Sequence, residues 1–390
     1  MVSFRSLKPS GFILAIALAC VMALLAASGC GSKGQRSASS DTVFDMPRTP
    51  LRQPVDHDAY GELGFRIAWQ GFPVMGDDAR VKHFDVFDDA IVIHSESNVV
   101  TLMDASTGAN RWAREVGDPI VTFVGNTMEG GELFVSSDNE LFILDANTGE
   151  VIDKDDLAVV VSTPPRVVYP IVVYGSGSGE VLGHNLETGF KLWGYKLRGS
   201  ITARPASLGD NLVGVVSQGG DAIIIDSRTG SSTLRARIFG GLDNDPVAGD
   251  DSMYIASLDQ SIYGFSSRGS SWDWRIRTDQ PLREQPWLVD EVLYVEIPDE
   301  GFAALDAAYQ GERLWTNPDI SGAVIGLRGG DLIVFSKSDQ TVFRVDPEHG
   351  DIIAQARVNN VERMTMFPRA GGNLYAVSPR GIVSKFTPRY

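Results

Sequence analysis

A ten-residue phrase recurs along this chain and constrains its fold more than any other feature. "MDASTGANRW" (103–112) is followed by "LDANTGEVID" (144–153), "HNLETGFKLW" (184–193) and "IDSRTGSSTL" (225–234). Its glycines are Gly108, Gly149, Gly189, Gly230, Gly269, Gly311 and Gly350, with steps of 41, 40, 41, 39, 42 and 39 residues. Self-similarity at a fixed period is the mark of a repeat architecture. Before each phrase stand two short runs rich in Val, Ile, Phe and Tyr, such as "SMYIA" and "SIYGF", separated by Ser, Asp, Asn and Gly. That is strand–turn–strand writing, and no unit carries a helical period.

The phrase itself reads as a turn. Asp104, Asp145, Asp226, Asp306 and Asp346 end a strand with a carboxylate able to accept from the backbone ahead. The glycine that follows supplies a positive φ at little cost. Four residues beyond it come Trp112, Trp193 and Trp315, each a large ring at one fixed point per unit, suited to docking one unit on its neighbour. A ligand needs one site and not a ring of them, so docking is the reading adopted. Four strands per unit describe a β-propeller blade.

The count gives eight blades. Past Gly350, "RMTMF", "NLYAV" and "IVSKF" supply three strands, and the sequence reaches Tyr390 without a fourth. The fourth is expected at the other end, in "FRIAWQ", with Trp69 in the docking place. The N-terminal strand then closes the last blade and leaves no open edge in the ring. The predicted fold is all-β, an eight-bladed propeller over 65–390.

Ahead of it stands a targeting pattern. Arg5 and Lys8 precede an uncharged apolar run, Gly11 to Ala27, which ends at "ASGC". This predicts a signal peptide over 1–29. Polar sequence begins right after Cys30, which favours it as cleavage and lipidation site over Cys20; an uncleaved membrane anchor is the alternative. The Ser-, Gly- and Pro-rich stretch 30–64 reads as the lipidated cysteine and a flexible tether. Cleavage removes Arg5 and Lys8 and no acid, taking the net charge from −16 to −18. So acidic a surface excludes nucleic acid as partner. Both cysteines lie in this leader region, so 65–390 can hold no disulfide, thiolate metal site or cysteine nucleophile.

The recurring Asp-x-x-Thr-Gly-x-x-x-Trp resembles the tryptophan-docking repeat of the pyrroloquinoline-quinone-type propellers. Departures are Asp153, Leu234 and Ala354 in the tryptophan place, Ser266 for the aspartate, and one residue fewer in "FSSRG" or more in "DAAYQG". Two branches of that superfamily are relevant, and a lipoprotein of the same fold with an unrelated protein partner is a further alternative. Quinoprotein dehydrogenases imply a longer chain, a vicinal cysteine pair and calcium held by central acids. The outer-membrane assembly lipoproteins of the BamB family imply a lipid-anchored, eight-bladed, non-enzymatic scaffold on the periplasmic side of the outer membrane. The "ASGC" resembles a lipobox, and "RGIVSKFTPRY" is similar to that family's ending.

The BamB resemblance also implies a partner site. "KLRGSITARP" is similar to the loop that contacts the central assembly subunit BamA, which points to Leu197 and Arg198. "LDNDPV" is similar to the following loop, with partner-binding acids at Asp243 and Asp245. Solvated hairpin residues are the alternative reading of all four. No cofactor is expected: Asp243, Asn244 and Asp245 lack the calcium-loop spacing, and no two of His57, His83, His94, His184 and His349 have metal spacing. "GSGSGE" (175–180) lies between strands, where a phosphate loop requires a following helix, and is read as a hairpin turn.

Overall fold

The computed structural model describes residues 55–77, 79–118 and 120–389. Cys30, the expected leader 1–29 and the tether as far as residue 54 lie outside them. Among the described residues the strands form eight four-stranded antiparallel sheets, seven of them unbroken meanders. Blades 1 to 7 occupy 81–115, 123–156, 166–196, 206–237, 247–277, 287–317 and 323–357. Blade 8 takes three strands from the C-terminal end, Arg363–Phe367, Asn373–Val377 and Val383–Pro388. Its outermost strand is β1 (Phe65–Gly71), which runs antiparallel to Val383–Pro388 from Phe65 opposite Pro388 to Gly71 opposite Val383. The closure expected from "FRIAWQ" is present.

The phrase forms the turn between the third and outermost strands. Asp145 Oδ1 accepts from the backbone N–H of Asn147 and Thr148, both at 2.8 Å, while Gly149 N donates to Asp145 O at 2.8 Å with φ of 70°. Asp226 accepts from Arg228 and Thr229 in the same way. The second strands are the most deeply buried: Ala90–Ser95 and Ile171–Gly175 have no exposed residue. A strand covered on both faces by neighbouring blades reads as a continuous apolar run, which is why "AIVIHS" and "IVVYG" do not alternate.

The tryptophans dock the blades. Trp112 Nε1 donates to Ala146 O at 2.9 Å, Trp193 to Ser227 O at 2.6 Å and Trp315 to Pro347 O at 2.8 Å, each in the phrase of the next blade. Trp69 lies on Gly108 as expected, but its buried Nε1 has no acceptor, since Lys385 Nζ occupies the matching carbonyl, Ala105 O, at 2.7 Å. Sequence spacing overlooked Trp274, five residues past Gly269, which donates to Ala307 O at 3.2 Å. Where blade 2 carries Asp153 in the tryptophan place, the seam instead holds Asp155 Oδ2 against the fully buried His184 Nε2 at 2.9 Å.

The expected flexible tether, drawn through residue 64, needs correction over its described part. Residues His57–Glu62 form helix α1, with Asp56 Oδ1 accepting from Asp58 N and Ala59 N at 3.1 and 3.0 Å as its cap. Tyr60 stacks on Phe386 at 3.8 Å between centroids, and Leu63 is fully buried. Both join the apolar cluster between blades 7 and 8. The folded part therefore begins ahead of β1.

Candidate partner-binding face

Because seven of the blades are unbroken meanders, their turns fall on two faces. The phrases and the innermost hairpins share one face. The hairpins between second and third strands share the other with the links from blade to blade. Leu197 and Arg198 lie on the link from blade 3 to blade 4, and Asp243 and Asp245 on the link from blade 4 to blade 5, so all four belong to the link face.

Gln218, in the hairpin of blade 4, ties the two links together. Its backbone N donates to Ser200 O at 2.7 Å, and its Nε2 donates to Thr202 Oγ1 and to Leu242 O, both at 2.6 Å. The adjacency expected from sequence is therefore present. The roles of the four side chains differ more than the sequence suggests. Leu197 is half-buried against the apolar cluster between blades 3 and 4. Arg198 is exposed but grips Asp221 of blade 4: its backbone N reaches Oδ2 at 2.8 Å, and Nε lies 3.1 Å from both carboxylate oxygens. The guanidinium hydrogen bonds hold the Asp221 carboxyl below its ordinary range. Asp243 is exposed and pairs with Arg283 on the next link.

Asp245 is built into the ring. Its Oδ1 accepts from Arg204 N at 2.7 Å, and its own N donates to Gln285 Oε1 at 2.9 Å. Arg204, Asp245 and Gln285 each precede a proline, Pro205, Pro246 and Pro286, so this ladder repeats at the blade period. The recurring residue-before-proline was the sequence signal that could have revealed it. Asn244 between the two acids is buried and donates to Ala256 O at 3.0 Å.

Two hollows lie among these residues. One, of ≈ 380 Å³, is lined by Thr202, Gln218 and Asp243 to Asp245. The other is a groove of ≈ 540 Å³ in which Lys196, Arg198, Arg235 and Arg237 surround Asp221. Near it Phe239 is 77% exposed, and the Arg275 guanidinium lies 5.0 Å from its ring centroid. The arrangement offers exposed cations, an exposed acid and an aromatic ring on one face. Among the described residues no group of three or more His, Cys, Asp or Glu could hold a metal ion, and no helix is long and apolar enough to cross a membrane.

Eight four-stranded blades docked by tryptophan, with an N-terminal strand closing the ring, define a β-propeller of the pyrroloquinoline-quinone repeat class. Within that class the chain belongs to the family described as outer membrane protein assembly factor BamB, whose model matches residues 66–272 and 270–386. The protein of that name from Burkholderia pseudomallei (strain K96243) is 20% identical over 317 residues, covering 77% of this chain and 82% of its own. The crystal structure of BamB from Moraxella catarrhalis superposes with a TM-score of 0.66 at 21% identity, over 84% of this chain and 98% of that one. A computationally designed protein, Ika8, reaches a TM-score of 0.67 at 12% identity, over 82% and 100%. The ring geometry is thus shared well beyond the family.

Proposed function

We propose that this protein is a non-enzymatic scaffold lipoprotein that supports assembly and insertion of β-barrel proteins into the outer membrane. In this reading it is anchored through Cys30 on the periplasmic side, and its link face at blades 3 to 5 holds a BamA-like periplasmic domain. Leu197, Arg198 and Asp243 meet the partner, and Asp245 keeps the second link in place through Arg204. The observation that carries the reading is the bridge made by Gln218. It ties the link that carries the exposed Arg198 to the link that carries the exposed Asp243, and charge of both signs on one face suits specific and rapid protein association.

The quinoprotein alternative implies calcium held by central acids. Among the described residues no group of three or more His, Cys, Asp or Glu could hold such an ion, and residues 65–390 carry no cysteine pair, which favours the scaffold reading. Capture of purified BamA-like periplasmic domains by the lipidated protein tests the proposal. Binding that is lost with Arg198→Glu supports it. Turnover of an alcohol after reconstitution with quinone and calcium overturns it. Cys30→Ala is expected to abolish palmitate labelling, and labelling that persists removes the anchor assignment.

A further inference from the structure

The groove of ≈ 540 Å³ beside Asp221 reverses the charge of the chain around it. Lys196, Arg198, Arg235 and Arg237 line it against that one carboxylate, in a chain of net charge −16. A hollow lined chiefly by one sign of charge concentrates its field on whatever ion enters. Strand pattern explains the grouping. Arg235 and Arg237 are alternate residues of Ser232–Arg237, the outermost strand of blade 4, and so share a face. They stand opposite Ile223 and Asp221 on the adjoining strand, and Ile223 belongs to the apolar cluster between blades 3 and 4. That face is therefore turned toward blade 3, whose outermost strand ends at Lys196.

The four cations differ in what they have left to offer. Lys196 Nζ donates to Ser178 O at 2.5 Å, and Arg198 is held by Asp221. Arg235 lies over the ring of Tyr195, its guanidinium carbon 4.9 Å from the centroid, and its Nε donates to Ser232 Oγ at 3.1 Å. Tyr195 is itself tied, its hydroxyl donating to Gly230 O. The plane of Arg235 is thus set, while its two Nη groups make no hydrogen bond among the described residues. Arg237 reaches an acid only at 3.9 Å, from Nε to Asp221 Oδ1. Ser270 and Ser271, from the loop ahead of Trp274–Arg277 in blade 5, add hydroxyl donors to the same groove.

We propose that this groove binds a phosphate-type oxyanion, free phosphate or the phosphate of a lipid headgroup, with Arg235 and Arg237 as its principal donors. A guanidinium presents paired N–H groups that match two oxygens of such an ion, and charge-assisted bonds of this kind are the strong ones. Asp221 is already engaged by Arg198, so the anion supplies the acceptors that the remaining guanidinium groups lack. It also relieves the repulsion among the four cations. Neither Arg235 nor Arg237 belongs to the partner site proposed above, so either assignment can fail without the other.

Isothermal titration of the whole protein with inorganic phosphate tests the groove, with potassium chloride at matched ionic strength as the control. A second titration uses glycerophosphoglycerol, the water-soluble headgroup of phosphatidylglycerol. A saturable event with at least one of the two is expected. Binding of the headgroup assigns the groove to lipid, and binding of phosphate alone assigns it to the free ion. Arg235→Gln and Arg237→Gln, both at exposed positions, should each weaken binding by about fivefold or more. Asp221→Asn removes the one carboxylate that competes with the anion and should tighten binding. Saturable heat from neither ligand overturns the proposal, as does binding that Arg235→Gln and Arg237→Gln both leave unchanged.

Discussion

Trp315 and Gly350 close the seam between blades 6 and 7. The indole lies against the glycine Cα while its Nε1 donates to Pro347 O at 2.8 Å. Gly350 has φ of 75°, so a methyl group there would be both strained and driven into the ring. The tryptophan also meets Tyr294 and Phe302, each with centroids 6.0 Å away.

The first prediction follows from that geometry. Trp315→Ala is expected to cost about 2–4 kcal/mol, as for other large aromatic truncations. Gly350→Ala should cost more than about 1 kcal/mol, through φ and the clash together. Urea unfolding of both variants checks this. A Gly350→Ala midpoint equal to the parent's would show that the seam yields freely and that docking is not what fixes the blade spacing.

This seam was legible in the sequence because its determinants recur at fixed places in successive phrases: a tryptophan in one, an aspartate and a positive-φ glycine in the next. Trp274 escaped because its strand starts late. Asp273 N bonds Gly264 O, and the tryptophan falls five residues past Gly269 instead of four. Helix α1 escaped because six residues are too few to display a period. Its reason to exist, the stack of Tyr60 on Phe386, spans nearly the whole chain. The site was half legible for the same reason. Which loops adjoin follows from the repeat, but the partners of Arg198 and Asp243 sit in neighbouring blades, at distances that no spacing rule displays.

A second prediction concerns that stack. Tyr60→Ala removes a side chain buried between blades 7 and 8, and a loss of about 3 kcal/mol is expected. For a domain this large the shift in Tm is roughly 5 °C. A variant melting with the parent would mean that α1 is a passenger and that β1 alone closes the ring.

Acid should weaken the fold through two imidazoles at the junction of blades 1 and 2. Burial is the chief cause that lowers His83 to about 4 and His94 to about 3. His94 Nδ1 meets Asn126 Oδ1 at 3.3 Å, and that asparagine in turn meets Asp85. Both folded-state values lie below the ordinary 6.5, so between them the unfolded chain binds more protons. Stability is then complete above about pH 6.5 and falls as pH drops toward 4, by up to about 1.4 kcal/mol per pH unit for each imidazole. Asp85, raised by burial, acts in the opposite direction. Urea midpoints at pH 7 and pH 5 should separate clearly in the parent and less in His94→Gln. An equal separation in both would rule His94 out as a source.

The last prediction concerns the link face. Arg198 is exposed, so exchanging it disturbs little of the core, and surface ion pairs contribute little to stability. Arg198→Glu also places a carboxylate against Asp221, so a second variant is needed to separate contact with the partner from release of Asp221. Asp221→Asn removes the carboxylate that holds Arg198 and leaves the arginine free to meet the partner. If Arg198 touches the partner, Arg198→Glu weakens capture by about tenfold or more, while Asp221→Asn retains it. Asp245 is the wrong position for the companion exchange, since losing its carboxylate strands the Arg204 backbone N–H and loosens the ring itself. Asp243, exposed and paired only with Arg283, is the right one. Capture that survives Arg198→Glu and Asp243→Lys in one chain, with Tm within about 2 °C of the parent, would leave these residues as a solvated rim and move the partner elsewhere on the ring.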